Sequence, residues 1–406
     1  MDAPLMPDLV RIHHAKGGAD HSNPFVGFLA STLSAAVGRN GYYLASAWIL
    51  VERGYGSASV ATLLAIVSGV EFVASPLVGV AADRFDRRRL NVTADLSRCV
   101  ITLATACALL YFDAFLTICL SAVLFSLCDR AALTTSQAMI PAMARGRDLV
   151  ALNSIVFFVM QFGNLGAALL AGPLLHDRSP TLLFTVLAAF FIVSAGSLVL
   201  VRLDPVSRDV RVAKMSATQI DRSLLRLIAV YALLYAGAVL VSAMGSSFVF
   251  QEQKGTAVDF SYLESAWSAG SLIGAASLIR IQRAMSTHAL HLMLLGSTGL
   301  VFMALTSLRM PWAVVLFAAL GLLYNLGRVS VEVTLQSRVS ANLLGRAKGV
   351  MHSVAVALGL LVFGIAAIAG DRVVPSTIFF GFGVMLLISI SALNVGVVHP
   401  EEKGHS

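Results

Sequence analysis

The sequence predicts an all-α polytopic membrane protein with twelve transmembrane helices in two pseudo-symmetric six-helix bundles. Its 406 residues are 57% hydrophobic and only 13% charged, whereas soluble domains carry about 25% charged residues. Twelve mostly apolar segments reach the length of about 20 residues that a bilayer-spanning helix needs. Short matches also recur between the two halves of the chain, which indicates a duplicated bundle.

Glycine and proline residues mark the joints between the apolar segments, because both residues interrupt helices. Gly56, Pro180, Pro311 and Pro375 each lie beside a segment boundary. The predicted transmembrane segments are residues 25–52, 57–82, 90–112, 115–143, 149–174, 180–202, 224–250, 260–280, 287–308, 311–337, 347–369 and 374–398.

The distribution of lysine and arginine predicts which side of the membrane the connectors face. Twelve segments place both termini on the same side. The tails and connectors on that side carry 20 lysine and arginine residues, and the opposite connectors carry five. Since basic connectors stay in the cytoplasm, both termini are predicted to be cytoplasmic. The net charge of +7 then reflects these connectors and does not indicate nucleic-acid binding.

The two halves share short matches at a nearly constant offset, and such repeats are typical of secondary transporters. Residues 135–137 match residues 334–336 at an offset of 199, and residues 166–172 match residues 364–370 at an offset of 198. The predicted organisation is a cytoplasmic N-terminal tail 1–24, an N-terminal bundle 25–202, a cytoplasmic linker 203–223, a C-terminal bundle 224–398 and a cytoplasmic C-terminal tail 399–406.

Motifs for enzymatic or metal chemistry are absent from the sequence. The four cysteines, Cys99, Cys107, Cys119 and Cys128, lie in apolar segments without CxxC spacing, and free cysteine usually packs as a small hydrophobic residue. No HExxH motif, paired histidine cluster, nucleophile elbow or nucleotide-binding loop occurs. The chain is therefore predicted not to be an enzyme, to need no cofactor or metal, and to use an ion gradient as its energy source.

Charged residues are concentrated in the predicted connector between segments 2 and 3, at residues 79–89, GVAADRFDRRR. Gly79 permits close helix approach. Asp83 ends segment 2, where its carboxylate can accept hydrogen bonds from an arginine or a helix N-terminus. Bonds that form in one conformation and break in another would make this loop a cytoplasmic gate. The alternative is a solvated basic loop that only fixes the topology.

This loop resembles the loop signature of the major facilitator superfamily. The residues that match position by position are Gly79, Asp83, Arg84, Arg87 and Arg88. The resemblance runs from about residue 25 to 398 and is strongest to the bacterial exporter branch that includes enterobactin and macrolide efflux proteins. It is carried by ADRFDRRRL, ADLSR, QAMIP, ALNS, LQSRVS and GRAKG.

Three departures from the family pattern stand out. Asp86 occupies a position where the signature often has glycine. The antiporter signature expects Gly-Pro partway along segment 5, but here Ala167 follows Gly166 and the only proline of the segment is Pro173. The connector after segment 8 carries no acidic residue that would match Asp83, so the second copy of the loop signature is degenerate.

Asp95 and Arg98 lie one to two turns into segment 3, three residues apart. They are candidates to complete the cytoplasmic gate with Asp83 and Arg84. The alternative is a pair confined to its own helix.

Six ionisable side chains near the centres of the predicted segments are candidate functional residues, because each such group costs at least a few kcal/mol in the membrane. They are Arg39, Glu71, Asp129, Arg130, Arg328 and Glu332. The resemblance implies that helices 1, 4, 7 and 10 line the central cavity, and five of the six lie on helices 1, 4 and 10. Tyr43, Gln137 and Asn164 add polar groups on helices 1, 4 and 5.

These charges nearly cancel within each half, so static pairs that hold helices together are one interpretation. In the second interpretation, a substrate or a proton competes with one charged residue of a pair for its partner. A buried carboxylate can take up a proton near neutral pH, and Asp129 is the first candidate and Glu71 the second. Arg39, Arg130 and Arg328 would bind a carboxylate or similar group, because guanidinium recognises such groups with a fork of donors.

The sequence therefore predicts a monomeric secondary active transporter in the bacterial cytoplasmic membrane. It would move a small organic compound, such as a siderophore, drug or metabolite, by alternating access coupled to protons, with export as the first expectation. Import of such a compound, for example siderophore uptake, is the alternative. A transport-inactive scaffold or sensor that kept the fold is a third possibility.

Overall fold

The computed structural model describes residues 24–144, 149–176, 180–201, 222–339, 341–369 and 372–394. Within these ranges the chain is all-helical and contains no strand. The predicted tails and the predicted linker up to residue 221 lie outside the described residues, apart from Pro24, which begins the first helix.

Twelve α-helices follow one another along the described residues. They are α1 Pro24–Glu52, α2 Gly56–Arg84, α3 Arg87–Ala108, α4 Ala114–Ala144, α5 Leu149–His176, α6 Pro180–Val199, α7 Arg222–Ser247, α8 Ala257–Ala284, α9 Thr287–Ala304, α10 Trp312–Arg338, α11 Ala341–Ala369 and α12 Pro375–Asn394. A π-helical turn, Phe248–Glu252, continues α7. The twelve predicted segments are confirmed, and their bounds differ by only a few residues.

Three of these helices are less apolar than the rest. In the described part of the chain, nine helices are long and apolar enough to cross a membrane, and α1, α3 and α8 fall outside that set. Helix α3 falls outside because it carries charged residues such as Asp95 and Arg98, both of which are buried. Burial against other helices shields these charges from lipid, so α3 can still belong to a membrane bundle.

The helices pack as two groups. In the first half α1 packs on α5 and α6, and α3 packs on α4 and α6. In the second half α8 packs on α10, α7 packs on α11 and α9 packs on α12. The halves meet mainly through α5 with α8 and α2 with α11. Because α2 and α8 are equivalent in a six-plus-six repeat, as are α5 and α11, these two contacts are copies of one another. A pseudo-two-fold axis requires this reciprocity.

Two contacts between the halves lie on one side of the bundle. We call the side on which α1 begins and α12 ends the terminus side, and the opposite side the far side. On the far side Trp48 at the end of α1 stacks on Phe260 of α8, with ring centroids 5.6 Å apart. Gly172 near the end of α5 lies directly against Ser261 of α8. On the terminus side Gln137, towards the end of α4, is exposed.

Short polar turns position the helix starts. The Asp86 side chain accepts a hydrogen bond of 2.7 Å from the backbone N–H of Arg89 and so caps α3. Asp113 precedes α4, accepts from the backbone N–H of Leu116 at 2.9 Å and also accepts from the Tyr55 hydroxyl. The Leu116 N–H and the Tyr55 hydroxyl lower the pKa of the Asp113 carboxyl.

Glycines let α8 and α10 approach backbone to backbone. A Cβ atom added at Gly321 would overlap the carbonyl oxygen of Trp267, and one added at Gly270 would overlap that of Ala318. Small residues permit such close contact in membrane bundles.

We expect Gly321→Ala to lower the free energy of unfolding by about 1–3 kcal/mol, because overpacking must push one helix backbone away from the other. Thermal unfolding of the purified protein would measure this. Gly364→Ala on α11 is the matched control, since no atom lies within 4 Å of its added Cβ. Equal melting temperatures for the two variants would contradict the prediction.

Candidate functional site

Asp129 of α4 lies between two arginines in the first half. Its carboxylate is fully buried. Arg98 Nη1 of α3 donates to Asp129 Oδ1 at 2.6 Å, and Arg39 Nε of α1 lies 3.3 Å from Asp129 Oδ2. The side chain of Arg98 is 2% exposed, whereas that of Arg39 is 35% exposed. One carboxylate therefore joins a fully enclosed guanidinium to an accessible one.

The network extends from Arg98 to α6. Arg98 also pairs with Asp95, three residues earlier on α3. Asp95 Oδ2 accepts a hydrogen bond from Ser194 Oγ at 2.6 Å, and the hydroxyls of Ser194 and Ser31 of α1 form a hydrogen bond of 2.9 Å. The Arg98 guanidinium lies 4.6 Å from the ring centroid of Phe191. Helices α1, α3, α4 and α6 are thus tied together by one buried polar network.

Helical spacing on α3 explains this arrangement. Asn91, Asp95, Arg98 and Thr102 recur at intervals of three or four residues and are all buried, as expected for one helix face. Asn91 Nδ2 donates to the backbone oxygen of Ala132 at 2.8 Å on α4. The polar face of α3 therefore points into the first bundle.

Asp95 and Arg98 pair with each other along α3, as one of the two sequence-based alternatives has it, and both also contact other helices. The other alternative placed them in a cytoplasmic gate with Asp83 and Arg84. The structure pairs both of them inside the bundle with Asp129 and Ser194, because Arg98 lies eleven residues into α3, which is about 16 Å along the helix axis. The Asp83 side chain is outside the described part of the structure.

The other residues of the predicted gate contact the first half. Arg87 Nη1 donates to the backbone oxygen of Ala138 at 2.8 Å, and Arg88 Nη1 donates to that of Val201 at 2.6 Å. Arg84 is exposed. Gly79 has no atom within 4 Å of an added Cβ. Arg87 and Arg88 therefore brace α3 against α4 and the end of α6, and a gating role for this loop stays a prediction.

Glu71, Arg130 and Tyr43 lie around the accessible side of the network. Glu71 of α2 is half-buried and lies within electrostatic range of Asp129, Arg39 and Arg130. Across the described ranges, Glu71 has no ion pair within 4 Å, and neither Arg130 Nε nor the Tyr43 hydroxyl has a hydrogen-bond partner. These three groups therefore lie near the network, but the Glu71 carboxylate, Arg130 Nε and the Tyr43 hydroxyl take no part in its ion pairs and hydrogen bonds.

The second half supplies Arg328 and Glu332 on α10. Arg328 Nε lies 3.8 Å from Glu332 Oε1, which confirms the predicted pair along this helix. The Arg328 guanidinium also lies 4.8 Å from the ring centroid of Phe157 on α5. This cation–π contact crosses between the halves, and such contacts contribute about 0.5–2 kcal/mol. Arg328 therefore couples the position of α10 to that of α5.

Helix α7 brings aromatic groups towards the same centre. Tyr235 packs edge-on against His352 of α11, with ring centroids 6.2 Å apart. Tyr235 lies within electrostatic range of Glu71, Arg39 and Arg130 of the first half. Charged groups of one half thus face tyrosines of the other across the centre of the molecule.

Gln137 and Asn164 lie apart from the buried network. Asn164 Nδ2 donates to Gln161 Oε1 at 2.8 Å on its own helix. Gln137 is exposed and follows Asp129 by eight residues, about 12 Å along α4. The structure does not bring these two predicted residues to the Asp129 carboxylate.

A polar cavity adjoins the network between α1, α3, α4 and α5. It is partly open to the surroundings. Its polar lining consists of Ser31, Thr32, Arg39, Asn91, Arg98 and Ser136. Hydroxyl, amide and guanidinium groups make the cavity suited to water or to a polar group of a ligand.

Sequence reasoning missed Ser31, Asn91 and Ser194. Asn91 had a usable signal, because it precedes Asp95 by four residues on a helix of low hydropathy. Ser31 and Ser194 are single hydroxyls in long apolar helices and carry no such signal. Among the described residues, no group of three or more histidine, cysteine or acidic side chains could hold a metal ion.

Comparison with known proteins identifies the family. The family model described as Major Facilitator Superfamily matches residues 28–364. The chain belongs to the Major Facilitator Superfamily. It is a multi-pass membrane transporter of this superfamily. It is also similar to the multidrug efflux pump Tap of Mycolicibacterium fortuitum, with 24% identity over 389 residues that cover 91% of this chain and 95% of that protein.

Solved structures share the fold at low sequence identity. A D-xylose–proton symporter superposes with a TM-score of 0.70 at 14% identity, covering 95% of this chain and 100% of the other. A bacterial homologue of the iron transporter ferroportin gives 0.69 at 16% identity, covering 92% and 97%. A mutant of the nucleoside transporter NupG gives 0.72 at 14% identity, covering 91% and 100%. These likenesses establish the fold of this superfamily member.

Proposed function

We propose that this transporter is a proton-coupled exporter of small amphipathic organic compounds in the bacterial cytoplasmic membrane. The similarity to a multidrug efflux pump over nearly its whole length supports export. The observation that carries the proposal is the carboxylate of Asp129, shared between the enclosed Arg98 and the accessible Arg39.

The Asp129 carboxylate contacts Arg98 more closely than Arg39. It is therefore suited to exchange its contact with Arg39 for a proton or a substrate group. Arg98 pairs with Asp95 as well as with Asp129, so it keeps a partner when Asp129 changes. Among the described residues, Arg39 has an ion pair only with Asp129, at 3.3 Å. A proton or a substrate group that displaces this contact frees the Arg39 guanidinium towards the adjoining cavity.

Glu71 supplies a second carboxylate on the accessible side. Its charge has no ion-pair partner in the described part of the chain, while Asp129 has two. A proton arriving at Glu71 changes the field at Arg39 and Arg130 without breaking a pair. We therefore assign proton exchange to the pair of carboxylates, with Glu71 as the entry point and Asp129 as the group that controls Arg39.

The closed far side supports loading from the cytoplasm. The excess of lysine and arginine supports a cytoplasmic position of the terminus side. Contacts of Trp48 with Phe260 and of Gly172 with Ser261 join the halves on the opposite side. An exporter takes up its substrate in such a state, and the loop of Gly79, Asp83, Arg84, Arg87 and Arg88 would close the cytoplasmic side afterwards.

Drug accumulation in oriented membrane vesicles tests the proposal. Everted vesicles that contain the protein should accumulate an amphipathic cationic dye or a siderophore when their interior is acid, and a protonophore should abolish the accumulation. Vesicles without the protein are the control. Accumulation only in right-side-out vesicles would establish import instead. No pH-driven flux of any compound in either orientation would reject transport coupled to protons.

A further inference from the structure

A second group of basic side chains lies on the terminus side of the second half, away from the central charges. Arg226 is near the start of α7, His288 and His291 are near the start of α9, and Arg338 ends α10. Arg226 and Arg338 both act electrostatically on His291, and Arg338 acts on Arg226. We call these four residues the basic cluster.

Two members of the basic cluster have buried nitrogens without a partner. Arg226 Nε and Nη2 and His288 Nδ1 are shielded from solvent and make no hydrogen bond with any described residue. A buried donor left unsatisfied costs about 1–3 kcal/mol, and more when it is charged. Such groups in a folded protein call for a partner, which the described residues do not supply.

The charge balance of the basic cluster differs from that of the first-half network. There, Arg39 and Arg98 each pair with an aspartate. Within the described residues Arg226 has no ion pair, and the electrostatic neighbours of Arg226 and His291 are all cationic groups. Like charges held together destabilise one another, so an anion from outside the chain would relieve both the repulsion and the unsatisfied donors.

We propose that the basic cluster binds the phosphate group of an anionic phospholipid. The cluster lies at helix ends, where lipid headgroups are found, and basic pockets between transmembrane helices hold such headgroups. The forked guanidinium of Arg226 matches two phosphate oxygens. Arg338 is exposed at the mouth of the cluster.

Apolar neighbours favour a lipid over free phosphate. Leu225, adjacent to Arg226 on α7, is 54% exposed, and Met293 on α9 is 40% exposed. These side chains offer an acyl chain a path beside the headgroup. The His291 ring is held in place by α10, because its Nε2 lies 3.1 Å from Ser330 Oγ.

Thermal unfolding of the purified full chain in detergent, titrated with phosphatidylglycerol, phosphatidylcholine or inorganic phosphate, tests this site. We expect phosphatidylglycerol to raise the melting temperature at concentrations where phosphatidylcholine does not. Arg226→Gln should weaken the apparent affinity for phosphatidylglycerol at least about tenfold, since a hydrogen bond to a charged group is lost. Arg280→Gln is the matched control, because Arg280 is an exposed arginine at the end of α8 on the same side.

The outcomes distinguish a lipid headgroup from inorganic phosphate as the source of the bound phosphate group. Stabilisation by inorganic phosphate alone, lost in Arg226→Gln, would assign the site to an anion from solution. An equal response of Arg226→Gln and Arg280→Gln to phosphatidylglycerol would overturn the proposal, as would equal stabilisation by both lipids. Arg226→Lys keeps the charge but removes the forked pair of guanidinium donors, so we expect an intermediate affinity for phosphatidylglycerol. If Arg226→Gln does not fold, the affinity of Arg226→Lys tests the proposal instead.

Discussion

Asp129→Asn should abolish transport and destabilise the protein. The substitution keeps the shape of the side chain but leaves Arg39 without an ion pair among the described residues and Arg98 with Asp95 as its remaining ion-pair partner. Removing one partner from a buried ion pair costs about 3–5 kcal/mol, because the remaining charge is uncompensated. We expect a lower melting temperature and vesicle accumulation at the level of protein-free vesicles, while substrate binding remains detectable.

A double variant separates a structural from a functional role for Asp129. Arg39→Gln combined with Asp129→Asn restores the charge balance, since Arg98 and Asp95 then remain as a pair. The double variant should recover most of the lost stability and still fail to transport. Full transport by the double variant would show that the Arg39–Asp129 contact only holds α1 and α4 together.

Glu71→Gln should uncouple transport from protons with little effect on folding. Glu71 is half-buried and forms no ion pair in the described part of the chain, so its neutral isostere leaves no charge unpaired. The free energy of unfolding should therefore change by less than about 1 kcal/mol. We expect loss of pH-driven accumulation but retention of substrate exchange across vesicles at equal pH, measured with labelled compound on one side.

Ser75→Ala is a matched control for Glu71→Gln. Ser75 lies one turn further along α2, and its hydroxyl bonds only its own helix at the Glu71 carbonyl. This variant should keep pH-driven accumulation. If Glu71→Gln also keeps it, Glu71 is not the entry point for protons, and Asp129 remains the candidate carboxylate.

The sequence was sufficient to predict the twelve helices because hydropathy and helix breakers are local properties. It also located the charges within the helices, since a charged residue in an apolar segment is recognisable whatever its partner. Arg328 and Glu332 were paired correctly because their spacing along one helix fixes their distance. The family followed from the loop signature for the same reason: its residues are contiguous.

Partnerships between helices could not be read from the sequence. Asp95 and Arg98 were placed with the loop because they are close to it along the chain, but rotation of α3 directs them at α4 and α6. Ser31 and Ser194, which complete that network, are 163 residues apart. Their contact depends on how α1 and α6 pack.

The sequence by itself determined the helices, the duplicated design and which residues carry charge in the membrane. Only the tertiary structure decided that Asp129 joins an enclosed arginine to an accessible one. It also decided that, among the described residues, Glu71 has no ion pair and two nitrogens of Arg226 have no hydrogen-bond partner. The physical reason is that helix formation follows from each segment's own composition. The partners of a buried charge depend instead on the rotation and packing of several helices, which no single segment specifies.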